Sequence, residues 1–162
     1  MCSQSSLTPQ SWCQNQLHLA DFLNQSLQKI HLSPRTSSKL ILHISETLFD
    51  IGTDLLKKRQ LDGAIKYLRW SYDYILQIAR VEVLSAVAGE LSMNIRHNLA
   101  KALIRRNEVG EMDLERAREL VDGLALDAPK EYWMYLLKLE YLERKGGQVD
   151  ALFACNLLHF GG

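Results

Sequence analysis

Residues 44–68 limit what this chain can fold into more than any other stretch. An apolar series at Ile44, Leu48, Ile51 and Leu55 recurs every three or four positions, the spacing of one side of an α-helix. Charged and turn-tolerant residues from Lys57 to Gly63 interrupt it. The series resumes at Ala64, Leu68, Tyr72, Ile75 and Ile78. An interruption that short leaves room only for a tight turn, so the two helices must fold back on each other. Gly52 and Ala64 are small where two such helices cross, and larger side chains there would push the axes apart.

Set against the tetratricopeptide pattern, the same segment supplies Leu48, Ile51-Gly52, Leu55, Ala64 and Leu68. The last small position of the pattern is Ser71, a mild departure. One match of this kind is also what an ordinary helical hairpin would show, but two further copies follow. Leu99-Ala100, Leu103, Ala117, Val121 and Pro129 form the second, with about five extra residues in its turn relative to the standard repeat. The third begins with Trp133, Leu136 and Leu137. Gly146-Gly147 ends its first helix, and Val149-Asp150-Ala151 opens the next arm.

These periods predict an all-α protein: antiparallel helix pairs stacked as a short TPR-like α-solenoid. The first ten residues, rich in Ser and Gln, are expected to lack fixed structure, and residues 11–162 to form the repeat domain. A first helix is expected from about Ser11 to His31. Ser33-Pro34 reads as the start signal for a helix over about 35–58. Helices over about 62–80, 90–106, 113–127 and 130–145 follow, with Gly89 as a break or overlap and Asp113 as an N-cap. The chain stops inside its third repeat on Leu157, Leu158 and Phe160, without a polar capping helix. It therefore reads as the front part of a longer array. Trp133, Leu137 and Tyr141 are expected to have only a partial partner, and the isolated chain to be marginally stable and prone to self-association.

Composition narrows the function classes. Lys plus Arg and Asp plus Glu number 19 each, so no net charge argues for nucleic acid or an acidic membrane surface. No apolar run reaches the roughly 18 residues of a membrane span, and the first residues carry no secretory signal. Cys2, Cys13 and Cys155 are odd in number and far apart, which suits free thiols rather than a disulfide framework or a zinc site. His18, His31, His43, His97 and His159 include no metal-ligand pair. Cys155 and His159 share helical spacing but have no third, orienting group. No catalytic, metal or cofactor residue, and no small-molecule substrate, is expected.

Three groupings have a plainer explanation than chemistry. Tyr132, Trp133, Tyr135 and Tyr141 suit packing between repeats better than a ligand platform. Arg96, Lys101, Arg105 and Arg106 are offset by Glu108, Glu111, Asp113 and Glu115, and read as a solvated face. The carboxylate clamp of co-chaperone TPR domains would fall at Phe49, Thr53, Asn98, Glu131 and Tyr135. Only Asn98 fits, and Glu131 would repel such a ligand.

Five phrases go beyond a generic repeat: Leu48-Phe-Asp-Ile-Gly52, Ala64-Ile-Lys-Tyr-Leu-Arg-Trp70, Asn94 to Leu103, Ala117-Arg-Glu-Leu-Val121 and Leu136-Leu-Lys-Leu-Glu-Tyr-Leu142. In this order the chain resembles the meiotic Zip-four/Spo-twenty-two family over about residues 45–145, the last phrase being the most specific. The resemblance implies a non-enzymatic TPR-like scaffold of synaptonemal complex assembly and crossover formation. It would reside in the nucleus on meiotic chromosomes, with other crossover-promoting proteins as partners. A cytosolic TPR adaptor without a meiotic role is the second reading, and a small all-helical enzyme the third.

Overall fold

The computed structural model describes residues 17–19, 21, 22, 25, 38–81, 83–106 and 111–145. The chain divides into two compact units, residues 1–40 and 41–162. In the first, residues 17–19, 21, 22 and 25 are helical, inside the helix expected over 11–31, and Leu19 and Phe22 are exposed. The expectations for residues 1–10, for Ser33-Pro34 and for everything after Lys145 lie outside the described residues.

The remaining described residues are all-α. Five helices follow in order: α1 (Ser38–Lys57), α2 (Leu61–Val81), α3 (Ala86–Arg105), α4 (Glu111–Asp127) and α5 (Tyr132–Arg144). Touching residues show how they run. Between α1 and α2, Ser45 meets Ser71 and Gly52 meets Leu68, so numbers rise on one helix as they fall on the other. Arg106 with Asp113, just past the end of α3, and Arg96 with Asp127 give the same antiparallel sense for α3 and α4. Helices two apart run parallel instead: His97 of α3 meets Trp133 of α5, and Arg105 meets Glu140. Antiparallel neighbours with parallel alternates make stacked helix pairs, a helical solenoid.

The offset between alternate helices measures the repeat. It is 35 residues from Arg105 to Glu140 and 45 from Thr53 to Asn98. The first is close to the tetratricopeptide period of about 34. The second is longer, in part because α2 has 21 residues where α4 has 17.

Local chemistry sets the boundaries. At the end of α1, the Gln60 amide donates to the Leu55 carbonyl at 2.9 Å and the Arg59 amide to Leu56 at 3.1 Å. This is a Schellman closure with Arg59 in the left-handed region (φ 59°), where glycine is the usual occupant. The expected break at Gly89 is displaced. Residues 83–85 interrupt the helices instead, because the Ser85 side chain caps α3 by accepting from the Ala88 amide at 3.3 Å. Gly89 then lies inside α3. Asp113 is likewise not an N-cap: α4 begins two residues earlier at Glu111, and the Asp113 carboxylate serves as an ion-pair partner.

The core runs along the facing sides of these helices. On α1 the buried stripe is Ile41, Ser45, Leu48, Gly52 and Leu55, so Ile44 and Ile51 stand half-buried at its edge. Leu68, Ile75 and Ile95 are fully enclosed, and each such side chain contributes roughly 1.5–3 kcal/mol through burial. Two of the buried serines, Ser45 and Ser71, satisfy each other. Ser45 Oγ donates to the Ser71 carbonyl at 2.9 Å, Ser71 Oγ donates to the Ser45 carbonyl at 2.8 Å, and the hydroxyl oxygens lie 3.0 Å apart. Ser71→Ala should cost about 1 kcal/mol, the net worth of one such hydrogen bond. The double variant Ser45→Ala/Ser71→Ala should lie within about 1 kcal/mol of the natural chain, since no hydroxyl is left orphaned. Urea unfolding of all three variants checks this, and a double variant that loses several kcal/mol would show that the serines are not a self-contained pair.

Candidate functional site

Three helices, α1, α3 and α5, form one row joined by polar and aromatic cross-contacts. Asn98 Nδ2 donates to Thr53 Oγ1 at 3.0 Å, linking α3 to α1. Between α3 and α5, the rings of His97 and Trp133 lie 4.8 Å apart at 43°. Arg105 grips Glu140 with two bonds, Nη2 to Oε1 at 2.6 Å and Nε to Oε2 at 3.1 Å. Arg144 Nη2 adds a bond to the Arg106 carbonyl at 2.9 Å. Two-pronged arginine–carboxylate contacts fix orientation as well as adding attraction. Tyr132 (67% exposed) and Leu136 (43%), one turn apart, put apolar surface on the outside of α5.

A second row, α2 and α4, is tied to the first by charge. Asp113, only 14% exposed, accepts from Arg106 at 2.8 Å and from Arg69 of α2 at 3.3 Å. Arg106 also reaches Asp62 at 2.9 Å, so four side chains from α2, α4 and the end of α3 form one chain of ion pairs. Arg96 pairs with Asp127 at 2.6 Å. The basic residues of α3 are thus neutralised mainly by Asp127, Glu140, Asp62 and Asp113, drawn from three other helices. Of the acidic neighbours expected to offset them, Asp113 takes part. Glu115 pairs with Arg118 on its own helix.

The residues of the repeat pattern fall as follows. Leu48, Gly52, Leu55, Ala64 and Leu68 are buried between α1 and α2. Leu99, Ala100 and Leu103 are buried on α3, Ala117 and Val121 on α4, and Leu137 on α5. Ile51 and Trp133 are half-buried. Pro129 is exposed, its carbonyl accepting from the Tyr135 hydroxyl at 2.8 Å. Leu136 is exposed, while Met134 and Tyr141 share the buried side of α5 with Leu137. The clamp position Asn98 is engaged with Thr53, so its amide already has a partner within the row.

His97, on α3, has a shifted pKa. Burial pushes its imidazole below the ordinary value of 6.5; Lys101 and Arg105 push the same way, and Glu140 opposes them. A lowered histidine pKa means that the unfolded chain takes up the proton first as pH falls. Stability is therefore complete above about pH 6.5 and declines as pH drops through 6.5 toward the lower folded value. Thermal melts between pH 7.5 and 5.5 should show falling melting temperature, and His97→Gln should flatten part of that slope. An unchanged slope in the variant would remove His97 as the source.

Among the described residues, no group of three or more His, Cys, Asp or Glu is placed to hold a metal ion. No described helix is long and apolar enough to cross a membrane. Comparison with curated proteins and with solved structures yields no match. Comparison with protein-family models matches residues 10–155 to the family described as "Meiosis protein SPO22/ZIP4 like". That span takes in all five helices and nearly the whole sequence: the chain belongs to the SPO22/ZIP4-like family of meiosis proteins.

Proposed function

We propose that this protein is a non-enzymatic scaffold of meiotic recombination that holds crossover-promoting proteins together on chromosomes in the nucleus. The family match over residues 10–155 is the observation that carries this reading. The fold supports it physically. Stacked helix pairs bury their cores against neighbours and leave long outer faces for partner segments. In the α1–α3–α5 row, the cross-helix bonds of Asn98 and Arg105 stiffen such a face, and Tyr132 and Leu136 supply apolar contact area. Rigid presentation lowers the ordering cost of binding. The partners in this proposal are proteins, with neither direct nucleic-acid contact nor a small-molecule substrate.

Immunofluorescence of the epitope-tagged full-length protein on spread meiotic chromosomes tests the reading. Foci or lines along paired chromosome axes are the expected result. Uniform cytosolic signal, with bare chromosomes, would favour the cytosolic adaptor reading instead.

A further inference from the structure

A cleft of about 490 Å³ opens between α2, α3 and α4, away from the α1–α3–α5 face. Its lining mixes apolar and charged groups. Tyr72 and Leu120, both half-buried, offer apolar surface, and Arg96 and Arg116 enter from α3 and α4. Arg96 is the unusual member. Its Nη2 is held by Asp127 at 2.6 Å, yet its buried Nε has no hydrogen-bond partner among the described residues. A buried N–H donor is costly to leave unpaired, so a small shift of the Arg96 side chain that brought its Nε to a ligand oxygen in the cleft would recover that cost. Two carboxylates, Asp73 and Glu119, also line the cleft. Burial pushes the Asp73 carboxyl above the usual carboxylate range, against the pull of Arg69 and Arg80. A strongly anionic ligand would meet these two acids.

We propose that this cleft is a docking site for a partner-protein segment carrying a single carboxylate beside an apolar side chain. The carboxylate lies against Arg96 and Arg116, and the apolar group lies on Tyr72 and Leu120. Charge complementarity selects the acidic residue, while Asp73 and Glu119 select against acidic tracts and against the higher charge of a phosphate. This site is separate from the face discussed above, and its test does not depend on where the protein acts in the cell.

The arginine Nε–H groups of the ¹⁵N-labelled full chain can be followed by NMR, with the Arg96 signal assigned from its disappearance in Arg96→Lys. The probes are acetyl-Leu-Asp-amide, acetyl-Leu-Asn-amide, triglutamate and inorganic phosphate. The Arg96 Nε–H signal should shift saturably with the Leu-Asp probe and bind the Leu-Asn probe about tenfold more weakly, the worth of one charge-assisted bond. Arg116→Gln should weaken the Leu-Asp probe several-fold with no change in melting temperature. No shift with the Leu-Asp probe, equal affinity for Leu-Asn, or tighter binding of triglutamate or phosphate would overturn the proposal.

Discussion

Gly52→Leu should destabilise the protein by about 3 kcal/mol or more, the upper end of what overpacking a core costs. A Cβ on Gly52 would already lie 2.7 Å from Leu68 Cγ, 3.0 Å from Leu68 Cδ2 and 3.2 Å from the Leu68 amide nitrogen. Leu68 is fully enclosed, so its side chain has nowhere to retreat, and the backbone nitrogen moves only if α2 moves. Leucine adds three more carbons to that collision. For a chain of this size the melting temperature should fall by roughly 6–12 °C. Gly89→Ala is the control. Nothing lies within 4 Å of its Cβ position, so the gain in helix propensity should raise stability by about 0.5–1 kcal/mol. Unchanged melting of Gly52→Leu would mean that α1 and α2 do not cross at this glycine.

The same crossing predicts a coupled pair. Leu68→Ala should cost about 2–5 kcal/mol, because it removes a fully enclosed side chain from a rigid surround. Gly52→Ala, introduced alone, sets its methyl group against Leu68 and should also destabilise. In the Leu68→Ala background the two closest atoms it would meet are gone, and of the three nearest the amide nitrogen at 3.2 Å stays. The methyl group then occupies part of the space that leucine vacated. The double variant should be more stable than the sum of the single effects implies, by about 1 kcal/mol or more. Denaturant unfolding of the four-member cycle measures this. Effects that add to within about 0.5 kcal/mol would place the two residues out of contact.

The sequence made some of this crossing legible and hid the rest for identifiable reasons. Helical spacing and the short turn at Lys57–Gly63 announce the α1–α2 pair, and the small residues Gly52 and Ala64 are visible signs of close approach, though not that Gly52 meets Leu68. Leu48 and Leu55 of the apolar series on α1 are buried, while Ile44 and Ile51 stand half-buried beside the stripe. An apolar count picks Ile44 and Ile51, whereas the buried positions are Ser45 and Gly52, whose smallness lets the helices approach. Ser71 looks like a departure from a small apolar position until its partner Ser45 is seen, and nothing local to residue 71 reveals that pairing. Gly89 suggested a break because glycine disfavours helix, but the Ser85 cap decides where α3 begins.

Surface chemistry was less legible still. Asp113 followed by apolar periodicity resembles an N-cap, yet its role comes from Arg69 and Arg106, which only the stacking of α2, α3 and α4 brings to it. The basic run on α3 could be balanced on paper by acids next to it in sequence. In the fold, Asp127 and Glu140 do much of that work, from 31 and 35 residues away. Leu136 carried the family-like phrase on α5 but faces outward, because the buried side of that helix passes through Met134, Leu137 and Tyr141. Motif matching assigns residues to a repeat, and only the packing decides which side of the helix each one occupies.

The proposed scaffold role can be tested by crossover number in meiotic cells. Crossovers should be counted in cells lacking the natural gene and supplied with the natural protein, with Gly52→Leu, or with the surface variant Tyr132→Ala/Leu136→Ala. A meiotic scaffold requires that loss of the protein sharply lowers crossovers and that the natural protein restores them. Gly52→Leu should fail through loss of fold. The surface variant should accumulate to normal levels yet restore crossovers only in part. Normal crossover numbers in cells lacking the protein would contradict the account.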